Sequence, residues 1–167
     1  MKKIILSIAA AMVCTAAWAD NVTGEKSFGP KLGYYSHNKS AVAGLTFTYA
    51  FNRHFRLAPE VGCVFRHNDQ DAFVADLNAQ FPFKFEEAGT VALYPLAGIT
   101  YTSWSRHFRS AEIDKDVTTH DNRFGANVGA GFELRCSETL RLSLEAKYVL
   151  VKSYSSVVVT AGISYVF

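Results

Sequence analysis

The sequence contains no apolar run of the roughly 18 residues that a membrane-spanning helix requires, although apolar residues make up 49% of it. Charge is sparse, at 19% of residues, and cysteine sparser still, with three in the chain. No His/Cys cluster has the spacing of a metal site, and no cofactor is expected. Basic residues form no stripe of the kind that nucleic-acid binding needs. What the sequence has in quantity is aromatic: 14% of residues, with 13 Phe and 8 Tyr. That richness suits strands and membrane interfaces better than helices.

The N-terminus reads as a cleaved signal peptide. Lys2 and Lys3 form a positive head, Ile4 to Ala17 an apolar stretch, and Ala17-Trp18-Ala19 the small residues before a cut after Ala19. Residues 1–19 are thus the leader and 20–167 one mature domain. Removing Lys2 and Lys3 takes the 17 basic residues to 15, against 15 acidic ones, so the mature formal charge is zero. Cys14 leaves with the leader. Cys63 and Cys136 fall near opposite ends of the strand map below, too far apart for a disulfide, and are expected as free thiols.

From Lys26 onward one pattern repeats: strict alternation for 9 to 12 residues, then a break. The strands read as 27–36, 41–51, 55–66, 73–83, 91–103, 123–134, 140–150 and 157–167. In 140–150, for example, Leu140, Leu142, Leu144, Ala146, Tyr148 and Leu150 share one face, and Arg141, Ser143, Glu145 and Lys147 the other. In none of the eight does Asp, Glu, Lys, Arg, Asn or Gln fall on the apolar parity.

A soluble sandwich also alternates, so length and depth decide. These strands run about 11 residues, close to the 9–11 of a tilted transmembrane strand, against about 5–6 for globular strands. The breaks alternate in length. Those near 52–54, 84–89 and 135–138 read as short periplasmic turns; 37–40, 67–72, 104–122 and 151–156 read as external, and 104–122 is the longest. Both termini then lie on the periplasmic side. Tyr49, Phe51, Phe55, Phe81, Phe83, Phe132, Tyr165 and Phe167 collect at one end of the apolar face. Tyr34, Phe65, Phe73, Tyr101, Phe124 and Tyr148 collect at the other. Two aromatic girdles around an aliphatic band are the mark of a membrane barrel. The expected fold is therefore all-β: an eight-stranded, antiparallel, up-and-down transmembrane β-barrel. Pro59 and Pro95 interrupt strands, and each predicts a local bulge or an unpaired carbonyl.

The eight strands, Gly33-Tyr34-Tyr35, Tyr94-Pro95-Leu96-Ala97-Gly98 and the terminal Gly162-Ile163-Ser164-Tyr165-Val166-Phe167 resemble the small outer-membrane barrels, the OmpX-like and OmpA-transmembrane-domain group. The resemblance implies a monomer in the bacterial outer membrane, surrounded by lipopolysaccharide. It also implies insertion by the barrel-assembly machinery, with Tyr165 and Phe167 in the signal that the machinery reads. It implies little about activity, since such barrels include adhesins, structural anchors and some lipid-modifying enzymes.

The inward parity collects Lys31, Arg56, Glu60, Arg66, Asp76, Arg123, Glu133, Arg141, Glu145 and Lys147. Eight strands leave an interior only wide enough for side chains, so these charges must pair and are expected to plug the lumen. A narrow gated channel, with Glu60, Glu145 and Arg141 exchanging partners, is the alternative. In the 104–122 segment, Trp104, Arg106, His107, Phe108 and Arg109 are candidates for contact with lipid phosphates or a host or cell-surface ligand. A lipid A-modifying enzyme is the remaining alternative. It would draw on Ser103 or Ser105, His107 or His120, and Asp121, but no His-x-Ser pattern or outward acid completes the site, and no catalysis is expected.

Overall fold

The computed structural model describes residues 23–67, 70–85, 90–110, 115–152 and 154–167, the side chains at 67, 106–110 and 115–120 excepted. Residues 1–19, read above as the leader, lie outside the described residues. The strands are β1 (Lys26–Tyr35), β2 (Ser40–Asn52), β3 (Phe55–His67), β4 (Gln70–Gln80), β5 (Phe83–Lys84), β6 (Val91–Ser110), β7 (Lys115–Arg135), β8 (Leu140–Leu150) and β9 (Ser156–Val166). The two-residue β5 prolongs the line of β4 against Leu93 and Ala92 of β6. The eight long strands pair antiparallel with their neighbours, β4 with β6 and β1 with β9, and the sheet closes. Up to the level of Ala126↔Leu150 every long strand is paired on both sides, which is the arrangement by which a sheet can span lipid.

Alternation becomes inside and outside. In β9 every second residue is buried, Ser156 through Val166, and those between are exposed. Outward lie Leu32, Leu45, Val61, Leu77, Ile99, Val128, Leu144 and Val159, all exposed. A water-soluble protein would not carry an apolar band right round its surface; a bilayer covers it. The two ends differ. At the terminal end, Lys26 and Phe167 exchange backbone hydrogen bonds of 3.1 and 2.9 Å. Rings there touch in series: Tyr49 with Phe51 at 4.8 Å, Phe51 with Phe55 at 5.6 Å, Phe55 with Phe81 at 5.5 Å. At the hairpin end, Tyr101 meets Phe124 at 5.0 Å. Cys63 and Cys136 are both free and exposed.

One expectation needs correction. The stretch 104–122 is not a loop. β6 runs on to Ser110 and β7 starts at Lys115, in unbroken register from Val91↔Leu134 to Ser110↔Lys115. From Ser105 onward the apolar parity lapses, with Ser105, His107 and Arg109 at the positions that would continue it. Thr102, Val117, Thr118 and Thr119 still favour the extended backbone, and the ladder continues. At the prolines the bulge, one of the two expected outcomes, is absent. Around Pro59 the β2–β3 ladder passes from Thr46↔Glu60 to Tyr49↔Leu57 with no register shift. A rung is lost, and no bulge forms. Pro95 keeps its carbonyl paired, accepting from Phe81 N at 3.0 Å. The shifts that do occur lie near strand ends, at Ala50/Asn52 and Val64/His67.

Candidate functional site

The polar chemistry of the barrel lies on its axis. At the terminal mouth Glu25, just before β1, accepts from the guanidinium groups of Arg135 and Arg141. Burial alone would raise the Glu25 carboxyl; the hydrogen bond from Arg135 and the charges of Arg141 and Arg135 outweigh it and hold it below the ordinary 4.5. One layer inward, Glu133 sits 2.6 Å from Arg56 Nη2 and 3.7 Å from Arg141 Nε. Arg56 also donates to Gln80 Oε1 at 2.6 Å, and its guanidinium lies 4.6 Å from the centre of the Tyr94 ring. A Cβ on Gly131 would fall 2.2 Å from Tyr94 Cζ. Only glycine lets that ring lie flat against the wall.

The centre of the lumen is a lattice of shared partners. Lys31 reaches Glu60 at 2.5 Å and Glu145 at 3.2 Å. Lys147 reaches Asp76 at 2.6 Å, Glu60 at 2.8 Å and Glu145 at 3.8 Å. The Tyr94 hydroxyl donates to Glu145 at 3.3 Å. Each ammonium thus faces at least two carboxylates. That geometry offsets the cost of removing these charges from water. On the same inward parity, Asn78, Thr100, Thr102 and Asn127 are buried with no side-chain hydrogen-bond partner among the described residues.

The hairpin end is closed by rings. Trp104, with no exposed surface, stacks on Tyr154 at 4.9 Å and meets Tyr35 and His37 edge-on at 5.7 and 5.3 Å. Val64, Val74, Val149, Val151 and Val158 pack around them. Cavities within the barrel are small. One of about 40 Å³ is lined by Lys31, Glu60, Asp76 and Lys147 among others, and one of about 20 Å³ by Arg56, Tyr94, Glu133 and Arg141 among others. Each has room for no more than a water or two.

Lys31, Arg56, Glu60, Asp76, Glu133, Arg141, Glu145 and Lys147 thus meet on the axis. Arg66 and Arg123 do not. Arg66, 56% exposed, faces Asp71 at 3.8 Å, and Arg123, 39% exposed, faces Asp121 at 2.8 Å. The register shift between Val64 and His67 breaks the parity that put Arg66 inside. Arg123 keeps its parity but lies above the closed lumen. Trp104 is no contact residue, being buried beneath the rim. It continues the inward parity of Thr100 and Thr102, a signal present in the sequence. The backbone of Arg106, His107, Phe108 and Arg109 pairs with Thr119, Thr118, Val117 and Asp116; their side chains lie outside the described residues. Tyr165 and Phe167 are exposed on the outer face, ring to ring at 6.3 Å.

Glu25, Arg135 and Tyr154 were missed because Glu25 and Tyr154 act from segments flanking strands, where parity says nothing, and Arg135 ends β7 one residue beyond the stretch whose alternation marks the strand. Of the residues considered for hydrolysis, His107 and His120 have side chains outside the described residues. Ser105 is the register partner of His120, but Asp121 falls on the inward parity, bound to Arg123. Among the described residues no group of three or more His, Cys, Asp or Glu gathers as a metal site.

Comparison with known proteins agrees with this geometry. The chain matches the family described as outer membrane protein beta-barrel domain over residues 5–167. No curated protein matches it. Among solved structures, the N-terminal β-barrel domain of Pseudomonas aeruginosa OprF superposes with a TM-score of 0.70 at 16% identity, covering 87% of this chain and 98% of that one. Neisserial surface protein A gives 0.66 at 16% identity, covering 86% and 96%. The attachment invasion locus protein Ail of Yersinia pestis gives 0.62 at 18% identity, covering 87% and 99%. At these identities the likeness concerns the fold.

Proposed function

The chain belongs to the outer membrane protein β-barrel domain family, and from that premise we propose that it is a non-catalytic surface protein whose β6–β7 hairpin is the binding element. In this reading the leader is cut after Ala19, the termini lie in the periplasm and the hairpin stands outside the cell. Tyr165 and Phe167 mark the last strand for the barrel-assembly machinery. The lumen is a plug: its charges serve the fold, and its small cavities exclude a solute of ordinary size.

One observation carries the binding role. The β7–β8 ladder starts at Ala126↔Leu150, whereas β7 itself starts at Lys115. Among the described residues Lys115 to Phe124 therefore has a strand on one side only. An open strand edge is a template for an extended peptide, which gains main-chain hydrogen bonds by adding to it. Charge favours no polyanion there: Arg106, Arg109, Lys115 and Arg123 are matched by Glu112, Asp114, Asp116 and Asp121. That sets it apart from a likeness to Ail, one structure of which holds the heparin analogue sucrose octasulfate.

The test compares cells displaying the full chain with cells displaying a variant shortened by residues 107–118, on immobilised host matrix proteins and on lipopolysaccharide. Adhesion lost with the hairpin, while the barrel still folds, supports the role. Equal adhesion overturns it. A gated narrow channel is the second reading, favoured by Lys31 and Lys147 sharing Glu60 and Glu145, since shared partners can be exchanged. Stable single-channel steps in a planar bilayer would move the assignment there.

A further inference from the structure

On the outer wall near the terminal end lies a groove of about 650 Å³, inside the range of about 300–1,000 Å³ typical of ligand pockets. Its walls are Phe55, Phe81, Phe83, Pro95, Ala97 and Val128, its floor Leu96 and Gly129, and its rim Asn52 and His54. Its cause is local. Between Gln80↔Leu96 and Phe83↔Leu93 the seam is interrupted, because Pro95, opposite Phe81, and Pro82, opposite Tyr94, both lack N–H groups. Phe81 N to Pro95 O, 3.0 Å, is the backbone bond there. Small residues at 97 and 129 leave the depression open, and Phe55 and Phe81, tilted 46° at 5.5 Å, raise one side of it.

We infer that this groove holds one acyl chain of a phospholipid, kept there more tightly than the lipid around the rest of the belt. The inference rests on the barrel being embedded in a bilayer, where the groove lies among the residues that face lipid. The chemistry of the wall selects the occupant. A peptide or a partner strand brings N–H and C=O groups that must be satisfied at that depth, and the lining proline, Pro95, has no N–H while its carbonyl already accepts from Phe81 N. An alkyl chain asks for no partner. The wall is apolar throughout, and its polar atoms are confined to Asn52 and His54 at the turn, the level at which a lipid's glycerol and headgroup begin. The aromatic rings supply flat faces against methylene groups.

The experiment is native mass spectrometry of the purified barrel released from dodecyl maltoside micelles doped with a phosphatidylethanolamine. The wild type is expected to keep one lipid after the micelle is stripped away. Ala97→Phe and Val128→Phe, filling the groove from its two walls, should each reduce the fraction carrying lipid about tenfold, as a loss of one decade in affinity implies. Ala161→Phe, equally exposed on β9 and outside the groove, should keep it. Folding of each variant is checked by the shift in gel mobility on heating. Equal retention in every variant, or equal loss from Ala161→Phe, overturns the inference. So does a lipid-free dimer that Ala97→Phe turns into a monomer, which would assign the groove to a second copy. Failure of the barrel reading would show differently, as a chain that stays soluble without detergent.

Discussion

Trp104 lies flat on Tyr154, 4.9 Å between ring centres and 11° between planes. The first residue comes from β6 and the second from the connection between β8 and β9, so the pair closes the barrel across its axis. Trp104→Ala removes the larger ring from a site with no exposed surface, where such truncations cost about 3–5 kcal/mol. Urea titration of the barrel in detergent should show a loss of that size. Planar-bilayer recordings should show conductance rising above the wild-type baseline. Unchanged conductance with lost stability would mean that the charge lattice below is the seal.

Glu25 makes the terminal mouth sensitive to acid. Its carboxyl is held below 4.5 by Arg135 and Arg141 against the effect of burial. A depressed value in the folded state adds stability that is present above the unfolded value and fades as pH falls through the folded one. Glu25→Gln should therefore lower thermal stability at neutral pH. The gap between the two proteins should narrow below about pH 4.5 and close in stronger acid. A gap independent of pH would mean that the glutamate acts through its shape alone.

The parity of β8 is open to direct test. Leu144 points outward and is exposed, whereas Ser143 faces the lumen against Gly162. Leu144→Arg sets a charge at mid-membrane and should cost about 2–4 kcal/mol in a lipid bilayer. In a detergent whose headgroups lie close to the wall, the cost should shrink. Ser143→Arg should disturb the lumen equally in both media. Equal behaviour of the two variants on changing from detergent to lipid would invert the inside and outside assigned here.

The positions best read from sequence are those that the bilayer itself constrains. β8 runs from Leu140 to Leu150, as its alternation requires, because one polar side chain on the lipid face is costly. The aromatic girdles follow for the same reason. Where that constraint ends, parity loses its force. β6 and β7 continue past the membrane with polar residues on both faces, so Ser105 to Ser110 and Lys115 to Asn122 read as loop although the backbone is paired. Arg66 was turned outward by a register shift that alternation does not record. The partners of Glu25 lie more than a hundred residues away along the chain. Only closure of the ring brings them together.

Lys147 is the test of whether the central lattice is one unit. Its ammonium lies within 4 Å of Asp76, Glu60 and Glu145. Lys147→Met leaves Glu60 and Glu145 to Lys31 and takes from Asp76 its partner at 2.6 Å, and breaking a buried pair from one side costs about 3–5 kcal/mol. Asp76→Asn alone removes a charge that Lys147 still needs, and should cost less, since Glu60 remains 2.8 Å from the ammonium. The double variant removes one charge of each sign. If the groups act together, it should be more stable than the sum of the two losses predicts, by about 0.5–3 kcal/mol, the usual coupling between residues in contact. Strict additivity in urea titrations would mean that water inside the barrel screens each pair from the next, and that the lumen is wetter than its small cavities imply.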